Sequence, residues 1–263
     1  MAICKLGQLV LLLVACVSAA NARELRVCAD PNNMPFSNER EQGFENQLVN
    51  LVAKNLNAEV KYVWWAQRRG NVRSTLKAGL CDVIPGVASG LEMLATTEPY
   101  YRSTYVFVTR SDRKLQLSGF DDVQLHHLKI GVQMIGDDFA NTPPAHALTK
   151  RGIVDNVRGY MLYGDYAQDS PPRLILQDVA NGKLDVAIVW GPLAGYYAQK
   201  MRPKLTLQSV GESNDGPELP MVFAISMGVR RQDRELKHEI EQVLTEHRVE
   251  IDALLHRYGV PTT

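Results

Sequence analysis

Segments with the pattern of β-strands alternate along the chain with segments that have the pattern of α-helices, and the alternation occurs twice. In the first half, strands are predicted at residues 25–29, 59–65 and 82–87, with helices at 44–56 and 72–77. In the second half, strands are predicted at residues 129–132, 157–162, 185–190 and 205–208, with helices at 137–150, 172–181 and 192–201. Short connections between alternating strands and helices are typical of a parallel, doubly wound sheet with right-handed crossovers. The pattern therefore predicts the α/β class.

Two further apolar segments separate and close these units. Residues 104–108 form a predicted strand that leads into a charged stretch, and residues 221–229 form another after a polar, turn-rich segment. A final helix is predicted over residues 232–258, with one apolar stripe. A chain that crosses twice between two α/β units forms two lobes with a hinge and an interlobe cleft. We expect lobe 1 to contain residues 23–109 and 221–263, and lobe 2 to contain residues 110–220.

The beginning of the chain predicts export. Lys5 precedes an apolar run over residues 9–17, and Ala20-Asn21-Ala22 has the form of a cleavage site, so residues 1–22 are interpreted as a signal peptide. A second interpretation stays open, because residues 13–16 end in Cys16 and resemble a lipobox, which would leave the protein lipid-anchored in the periplasm. No later stretch approaches the roughly 20 apolar residues of a membrane helix, so no integral membrane segment is expected after cleavage.

The mature chain is nearly neutral. Removing Lys5 leaves 28 basic residues against 29 acidic ones, because the full sequence has 29 of each, and the two signs are interspersed. This composition argues against nucleic acid as a partner.

Cleavage would also leave an even number of cysteines. Cys28 and Cys81 are the pair that remains, and in an oxidising compartment an even number favours a bridge. A redox or metal pair is the alternative, but no CxxC spacing and no neighbouring histidine favours it. We predict a Cys28–Cys81 disulfide.

Several short motifs occur along the chain in an order that is typical of one protein family. They are Met34-Pro35-Phe36, Gly43-Phe44, Gly79-Leu80-Cys81-Asp82, Pro99-Tyr100-Tyr101, residues 129–133 and residues 181–187. In this order the chain resembles the type II periplasmic solute-binding proteins over residues 25–260. The resemblance implies the two-lobed receptor fold that the strand and helix pattern also predicts.

A narrower resemblance is carried by four other segments, which are residues 28–33, residues 64–70, residues 135–148 and residues 189–196. They resemble the MoxJ/XoxJ-like solute-binding subfamily that is associated with quinoprotein alcohol and methanol dehydrogenases. This resemblance implies a periplasmic accessory protein whose partner is a dehydrogenase dependent on pyrroloquinoline quinone (PQQ).

The residues that follow the predicted strands are the candidates for ligand binding, because ligands of such folds lie at the carboxyl ends of the strands. The predicted cleft residues are Asp30, Asn32, Met34, Phe36, Trp65, Gln67, Arg68, Tyr100, Tyr101, Gln133, Trp190 and Pro192. Trp64 and Gly86 occupy equivalent positions, but neighbouring strand residues point to opposite faces, so at most one of Trp64 and Trp65 is expected in the cleft. Arg68 is either a cleft residue or part of a solvated helix end.

Amino-acid receptors of this fold carry two ionic anchors, according to the family resemblance. An arginine stands about nine residues before the Pro-Tyr element and binds the ligand carboxylate, whereas an aspartate at the end of a second-lobe strand binds the ammonium group. The corresponding residues here are Gly90 and Trp190. Both anchors are replaced, which argues against a conventional amino-acid receptor.

Three functions remain as hypotheses. The first is an accessory protein that binds the quinoprotein dehydrogenase, or a segment of it. The second is a receptor that delivers a small aromatic or alcohol-related solute to an ABC permease. The third is an enzyme such as a dehydratase, which would need a facing acid and base where we find only the isolated Asp30. We expect no catalytic residues, no cofactor and no metal site, since the histidines lack acidic neighbours at metal-binding spacing.

Overall fold

A computed structural model describes residues 23–67, 70–135, 141–161, 166–168, 170–211 and 215–263. The strands are β1 (Arg23–Ala29), β2 (Asn32–Asn33), β3 (Ser37–Asn38), β4 (Ala58–Trp64), β5 (Val83–Ala88), β6 (Ala95–Thr96), β7 (Tyr101–Arg110), β8 (Ile130–Met134), β9 (Val157–Met161), β10 (Val186–Trp190), β11 (Leu205–Ser209) and β12 (Val222–Val229). The α-helices are α1 (Phe44–Asn55), α2 (Asn71–Ser74), α3 (Pro143–Lys150), α4 (Leu174–Ala180), α5 (Gly191–Ala198), α6 (Arg234–Glu246) and α7 (Arg248–Arg257). The predicted signal peptide, Cys16 and Arg68 lie outside the described residues.

Strands from both halves of the chain join one sheet. Over the described residues it has ten strands, in the order β4-β1-β5-β12-β7-β10-β8-β9, with β11 beside β7 and β6 beside β12. The pairs of β1 with β4 and β5 are parallel, and so are the pairs of β8 with β9 and β10. The predicted α/β class is confirmed. The strand at Leu205–Ser209 departs from the expected parallel pattern, because it returns along β7 in the antiparallel direction.

The long strand β7 connects the two halves of the sheet. Its first residues, Tyr101 to Thr104, pair with β12, whereas the remainder pairs with β10 and β11. We call β1, β4, β5, β6, β12 and the start of β7 the first section, and β8 to β11 with the end of β7 the second section. Because β7 changes its partners along its length, it belongs to both sections and joins them directly.

The first section is closed by helices from both ends of the sequence. Helix α1 buries Phe44, Leu48 and Val52, in agreement with the predicted apolar face. Helices α6 and α7 cover the same core with Ile240, Val243, Leu244, Ile251, Leu254 and Leu255. The C-terminal helices therefore belong to the section in which the chain begins.

The prediction of one unbroken helix over residues 232–258 is wrong. His247 lies between α6 and α7 with φ −102° and ψ 21°. Its ring nitrogens lie 3.1 Å from the Asn55 side-chain oxygen and 3.2 Å from Glu250 Oε2. We attribute the kink to these contacts, since they hold His247 against the end of α1 while the apolar stripe continues on both sides.

The predicted disulfide is present. Cys28 at the end of β1 is bonded to Cys81, which precedes β5, and the two Cα atoms are 5.6 Å apart. Both cysteines are buried in a small core with Val72, Leu76 and Ile84. The bridge fastens the short helix α2 and its loops onto the first section.

Among the described helices, none is both long enough and apolar enough to cross a membrane.

Candidate ligand cleft

A cavity of about 620 Å³, which we call the cleft, lies where the two sections meet. The first section contributes Asn33, Phe36, Glu45, Gln67, Gly86, Tyr101, Phe223 and Ile225 to its lining. The second section contributes Tyr105, Gln133, Ile135, Asn141, Trp190 and Leu193. A cavity of this size accommodates a small organic molecule or a few side chains of a partner.

Aromatic side chains dominate one wall of the cleft. The ring centroids of Tyr105 and Trp190 are 5.3 Å apart, and each lies against Phe223, at 6.4 and 5.9 Å. The contacts are edge-to-face, the arrangement that the charge distribution of aromatic rings favours. The three residues come from β7, the end of β10 and β12, so the wall forms only when the strands pair.

Gln133 positions the end of β10. Its side chain is 4% exposed, and its Oε1 accepts a hydrogen bond of 3.1 Å from the backbone N–H of Trp190. Its own backbone oxygen accepts a bond from the Thr142 hydroxyl at 2.7 Å. Gln133 therefore fixes Trp190 at the cleft.

Glu45 reaches the cleft from the first turn of α1. It is 3% exposed, and no described residue donates a hydrogen bond to its Oε2. Its Oε1 occupies the space beside Gly86, where a Cβ would lie 2.1 Å away. Burial, followed by the charge of nearby Asp30, raises the pKa of Glu45 to about 8. The carboxyl is therefore mainly protonated at neutral pH.

Glu45 was not among the predicted cleft residues. An acidic residue in the first turn of a helix is ordinarily a solvated group that favours the helix dipole. The one available signal was Gly86, because a glycine inside a strand can mark a close approach of another group.

Asp30 and Asn32, two of the predicted cleft residues, connect the sections instead of lining the cavity. Asp30 is 1% exposed, and its carboxylate accepts bonds from the N–H groups of Asn32 and Gln67 at 2.9 and 2.8 Å and from the Tyr166 hydroxyl at 2.7 Å. The Asn32 amide donates to the Gln168 carbonyl at 2.7 Å, and its oxygen accepts from Ser170 N–H at 3.2 Å. The bonds to Tyr166, Gln168 and Ser170 run from the loop after β1 to the loop before α4.

The other predicted residues are divided between the cleft and the protein interior. Phe36, Gln67, Tyr101, Gln133 and Trp190 line the cleft. Met34, Tyr100 and Pro192 are buried elsewhere, and Trp65 is 44% exposed on the surface outside the cavity. The hydroxyl of Tyr100 donates to the Pro85 carbonyl at 3.0 Å, which explains why its side chain turns away from the cleft.

The described residues contain no group of three or more His, Cys, Asp or Glu side chains that could hold a metal ion. Among the described residues that line the cleft, Glu45 is the only one with a carboxyl group, and none is a histidine or a lysine.

Comparison with known proteins identifies the family. Residues 25–260 match the bacterial extracellular solute-binding proteins, family 3. The chain belongs to this family. The chain is also similar to protein MoxJ of Paracoccus denitrificans, with 32% identity over 274 residues that cover 98% of this chain and 96% of that protein.

Two solved structures are similar over most of the chain. XoxJ from Methylobacterium extorquens AM1, a periplasmic binding protein, is 34% identical with a TM-score of 0.73, covering 91% of this chain and 99% of XoxJ. MxaJ from Methlophaga aminisulfidivorans MPT is 28% identical with a TM-score of 0.76, covering 91% of this chain and 100% of MxaJ. The similarity thus extends through both sections of the sheet.

At the two positions where amino-acid receptors of this family are expected to carry ionic anchors, this chain has Gly90 and Trp190. Gly90 adopts φ +74° in the turn after β5, where it offers no side chain. Trp190 presents its ring to the cleft at the position expected for an aspartate. The described lining therefore carries neither a guanidinium for a carboxylate nor a second-section carboxylate for an ammonium group.

Proposed function

We propose that this protein is a periplasmic, non-enzymatic binding protein that serves a PQQ-dependent methanol or alcohol dehydrogenase. The observation that carries the proposal is the aromatic cleft without amino-acid anchors, in a chain whose similarity to MoxJ, MxaJ and XoxJ spans both sections. An aromatic, weakly charged cleft suits a segment of a partner protein or a flat organic molecule better than an α-amino acid. The predicted signal peptide supports a periplasmic location.

We also propose that the two sections act as lobes that hinge about β7 and β12, with the boundaries predicted from the sequence. Support comes from the change of partner along β7 and from separate apolar cores on the two sides. Two strands that connect the sections permit the sections to close around a ligand.

The test is calorimetry between the purified protein and its cognate quinoprotein dehydrogenase, in the apo form and in the PQQ-loaded form. We expect saturable binding to at least one form. Replacing Trp190 by Leu should weaken that binding by about tenfold, because aromatic anchors carry much of the energy of an interface. The matched control is Trp65→Leu, since Trp65 lies on the surface outside the cleft. Lack of binding to either form of the enzyme contradicts the proposal.

A second function is favoured by the size of the cleft, which fits a whole small molecule. In that case the protein is a receptor that delivers a small non-amino-acid solute, aromatic or alcohol-related, to an ABC permease. A thermal-shift screen distinguishes the two, because a ligand at 100 times its Kd adds about 2.7 kcal/mol to the free energy of unfolding. A screen without shifts, together with dehydrogenase binding, supports the first function.

A further inference from the structure

We propose that Glu45 is the recognition residue of the cleft and that it accepts the ammonium group of an organic amine that carries no carboxylate. The proposal rests on the proposed binding role of the cleft and names the chemistry of its ligand. It is carried by the burial of Glu45, by the absence of a donor to its Oε2, and by the groups around it.

The Glu45 carboxyl is in an unusual state, because it is buried and its Oε2 has no donor among the described residues. Other buried carboxylates of the molecule have partners: Asp178, 2% exposed, accepts from the Tyr160 hydroxyl at 2.7 Å and pairs with Lys183 at 3.0 Å. Glu45 Oε2 has no such donor among the described residues, although the side chain is buried to the same degree. A buried acceptor without a hydrogen bond is costly, so a ligand that donates one here gains more than it would at a solvated carboxylate.

This carboxyl lies at a wall of the cavity. Oε1 lies against Gly86, which follows the middle of β5 and itself lines the cleft. Any side chain at residue 86 would displace the carboxyl, since a Cβ there would be 2.1 Å from Oε1. Glycine at residue 86 thus leaves room for the Glu45 carboxyl at this wall of the cavity.

The charged groups around Glu45 determine which ligands it can bind. Among the described residues, the titratable groups that interact with it are Asp30 after β1, Tyr62 on β4, Tyr100 before β7 and Tyr101 at the start of β7. All are acidic or neutral, and the described lining of the cleft contains no Lys, Arg or His. The described part of the lining therefore favours a cation over an anion.

Aromatic side chains line the same cavity as the carboxyl. Phe36, Tyr101, Trp190 and Phe223 line the cleft together with Glu45. Aromatic faces attract ammonium groups, and they also bury the apolar body of an amine. A carboxylate on the same ligand would meet no cationic partner in the described lining, which explains the restriction to amines without one.

The raised pKa supplies a signature of this recognition. Because burial holds the pKa of Glu45 at about 8, the carboxyl is protonated in the free protein at pH 7. An ammonium ion stabilises the carboxylate, so binding must release a proton to the buffer.

The experiment uses the full chain without the dehydrogenase and three probes of one shape: benzylammonium, benzyl alcohol and benzoate. In calorimetry at pH 7 we expect benzylammonium to bind at least about tenfold more tightly than benzyl alcohol, and benzoate not to bind. Titrations in buffers of different ionisation enthalpy should show the release of about one proton per benzylammonium. Equal or tighter binding of benzyl alcohol, or binding without proton release, overturns the proposal.

The variant Glu45→Gln keeps the shape of the side chain and removes its ability to ionise. It should weaken benzylammonium binding by about tenfold or more, abolish the proton release and leave benzyl alcohol binding nearly unchanged. The control is Glu59→Gln, which neutralises an exposed glutamate of β4 that is paired with Lys61. Should the Gln variant fail to fold, the proton release of the unmodified protein still decides the question.

This test is independent of the proposed function. If the protein binds its dehydrogenase but no amine, the ammonium proposal alone fails. If it binds amines with proton release but not the dehydrogenase, the proposed function fails and the recognition chemistry stands.

Discussion

At the scale of single residues, Asp82 joins three parts of the first section. Its Oδ1 accepts from Arg26 at 2.6 Å and from Arg230 at 3.0 Å, and its Oδ2 accepts from the Arg26 backbone N–H at 3.1 Å. Burial by itself raises the pKa of Asp82, but the hydrogen bonds from Arg26 and Arg230 outweigh it and hold the pKa below its usual range. The carboxylate thereby connects β1, the start of β5 and the end of β12.

This lowered pKa predicts a dependence of stability on pH. A group whose pKa is lower in the folded state stabilises the fold above its unfolded value, about 4 for Asp, and the stabilisation is lost as the pH falls through the folded value. Asp82→Asn should therefore lower the free energy of unfolding by about 1–3 kcal/mol at pH 7 and by much less at pH 3. Urea unfolding at the two pH values measures this.

The control for Asp82 is Asp112→Asn, which removes an exposed aspartate paired with Arg110. Exposed ion pairs contribute little, so this variant should change the free energy of unfolding by less than about 1 kcal/mol. An equal loss at pH 7 and pH 3 in the Asp82 variant would show that the carboxylate charge is not responsible.

At the scale of elements, helix α5 and the end of the chain are in close contact. A Cβ on Gly195 would lie 1.7 Å from the carbonyl oxygen of Gly259, and a Cβ on Gly191 would lie 2.6 Å from the Thr104 oxygen. Helix α5 is therefore restricted to glycine at the positions where the segment after α7 and strand β7 approach it.

This contact predicts that Gly195→Ala is destabilising, although alanine is the better helix former by about 1 kcal/mol. The added methyl group would force the C-terminal segment away from α5, and we expect the free energy of unfolding to fall by about 1–3 kcal/mol. Chemical unfolding measures it. Asn50→Ala, at an exposed position of α1, is the control that changes helix propensity without a steric contact. A Gly195 variant that is more stable than the parent protein would refute the steric explanation.

At the scale of the whole molecule, the loop after β1 is bonded to the loop before α4. Asn32 makes two of these bonds, to Gln168 and Ser170, and the Asp30 carboxylate makes another to Tyr166. They link the two sections, so we expect them to favour the closed position of the proposed hinge.

The proposed hinge predicts that Asn32→Ala opens the molecule. Loss of the two partly exposed hydrogen bonds should lower the ratio of closed to open molecules by about tenfold, since each contributes roughly 0.5–1.5 kcal/mol. Small-angle X-ray scattering should then show a larger radius of gyration without ligand. Asn50→Ala is the control, because Asn50 is exposed on α1 and lies within one section. An unchanged radius in the Asn32 variant would contradict the closing role of these bonds.

Much of the fold was predictable because it depends on local patterns. Alternating strands and helices, the apolar face of α1 and the order of family motifs are all encoded within short segments, and they led to the α/β class and the solute-binding family. The Cys28–Cys81 bridge followed from a count of cysteines together with the predicted compartment. The kink at His247 did not follow, since it depends on contacts with Asn55 in a distant helix.

The candidate site was predictable only in part. The rule that ligands lie beyond strand ends selected Phe36, Tyr101 and Trp190, which the structure brings to one cavity. The same rule selected Tyr100 and Met34, whose side chains turn into the interior because neighbouring residues offer them better burial or a hydrogen bond.

The sequence by itself determined the class of fold, the family, the disulfide and the replacement of the amino-acid anchors, because each depends on residue type and spacing along the chain. Only the tertiary structure decided that Asp30 and Asn32 join the sections, and that Glu45 enters the cleft beside Gly86 without a donor to its Oε2. The physical reason is that burial and the loss of hydrogen-bond partners depend on groups that lie far apart in the sequence. Strand pairing and loop packing bring those groups together, and no local pattern records that proximity.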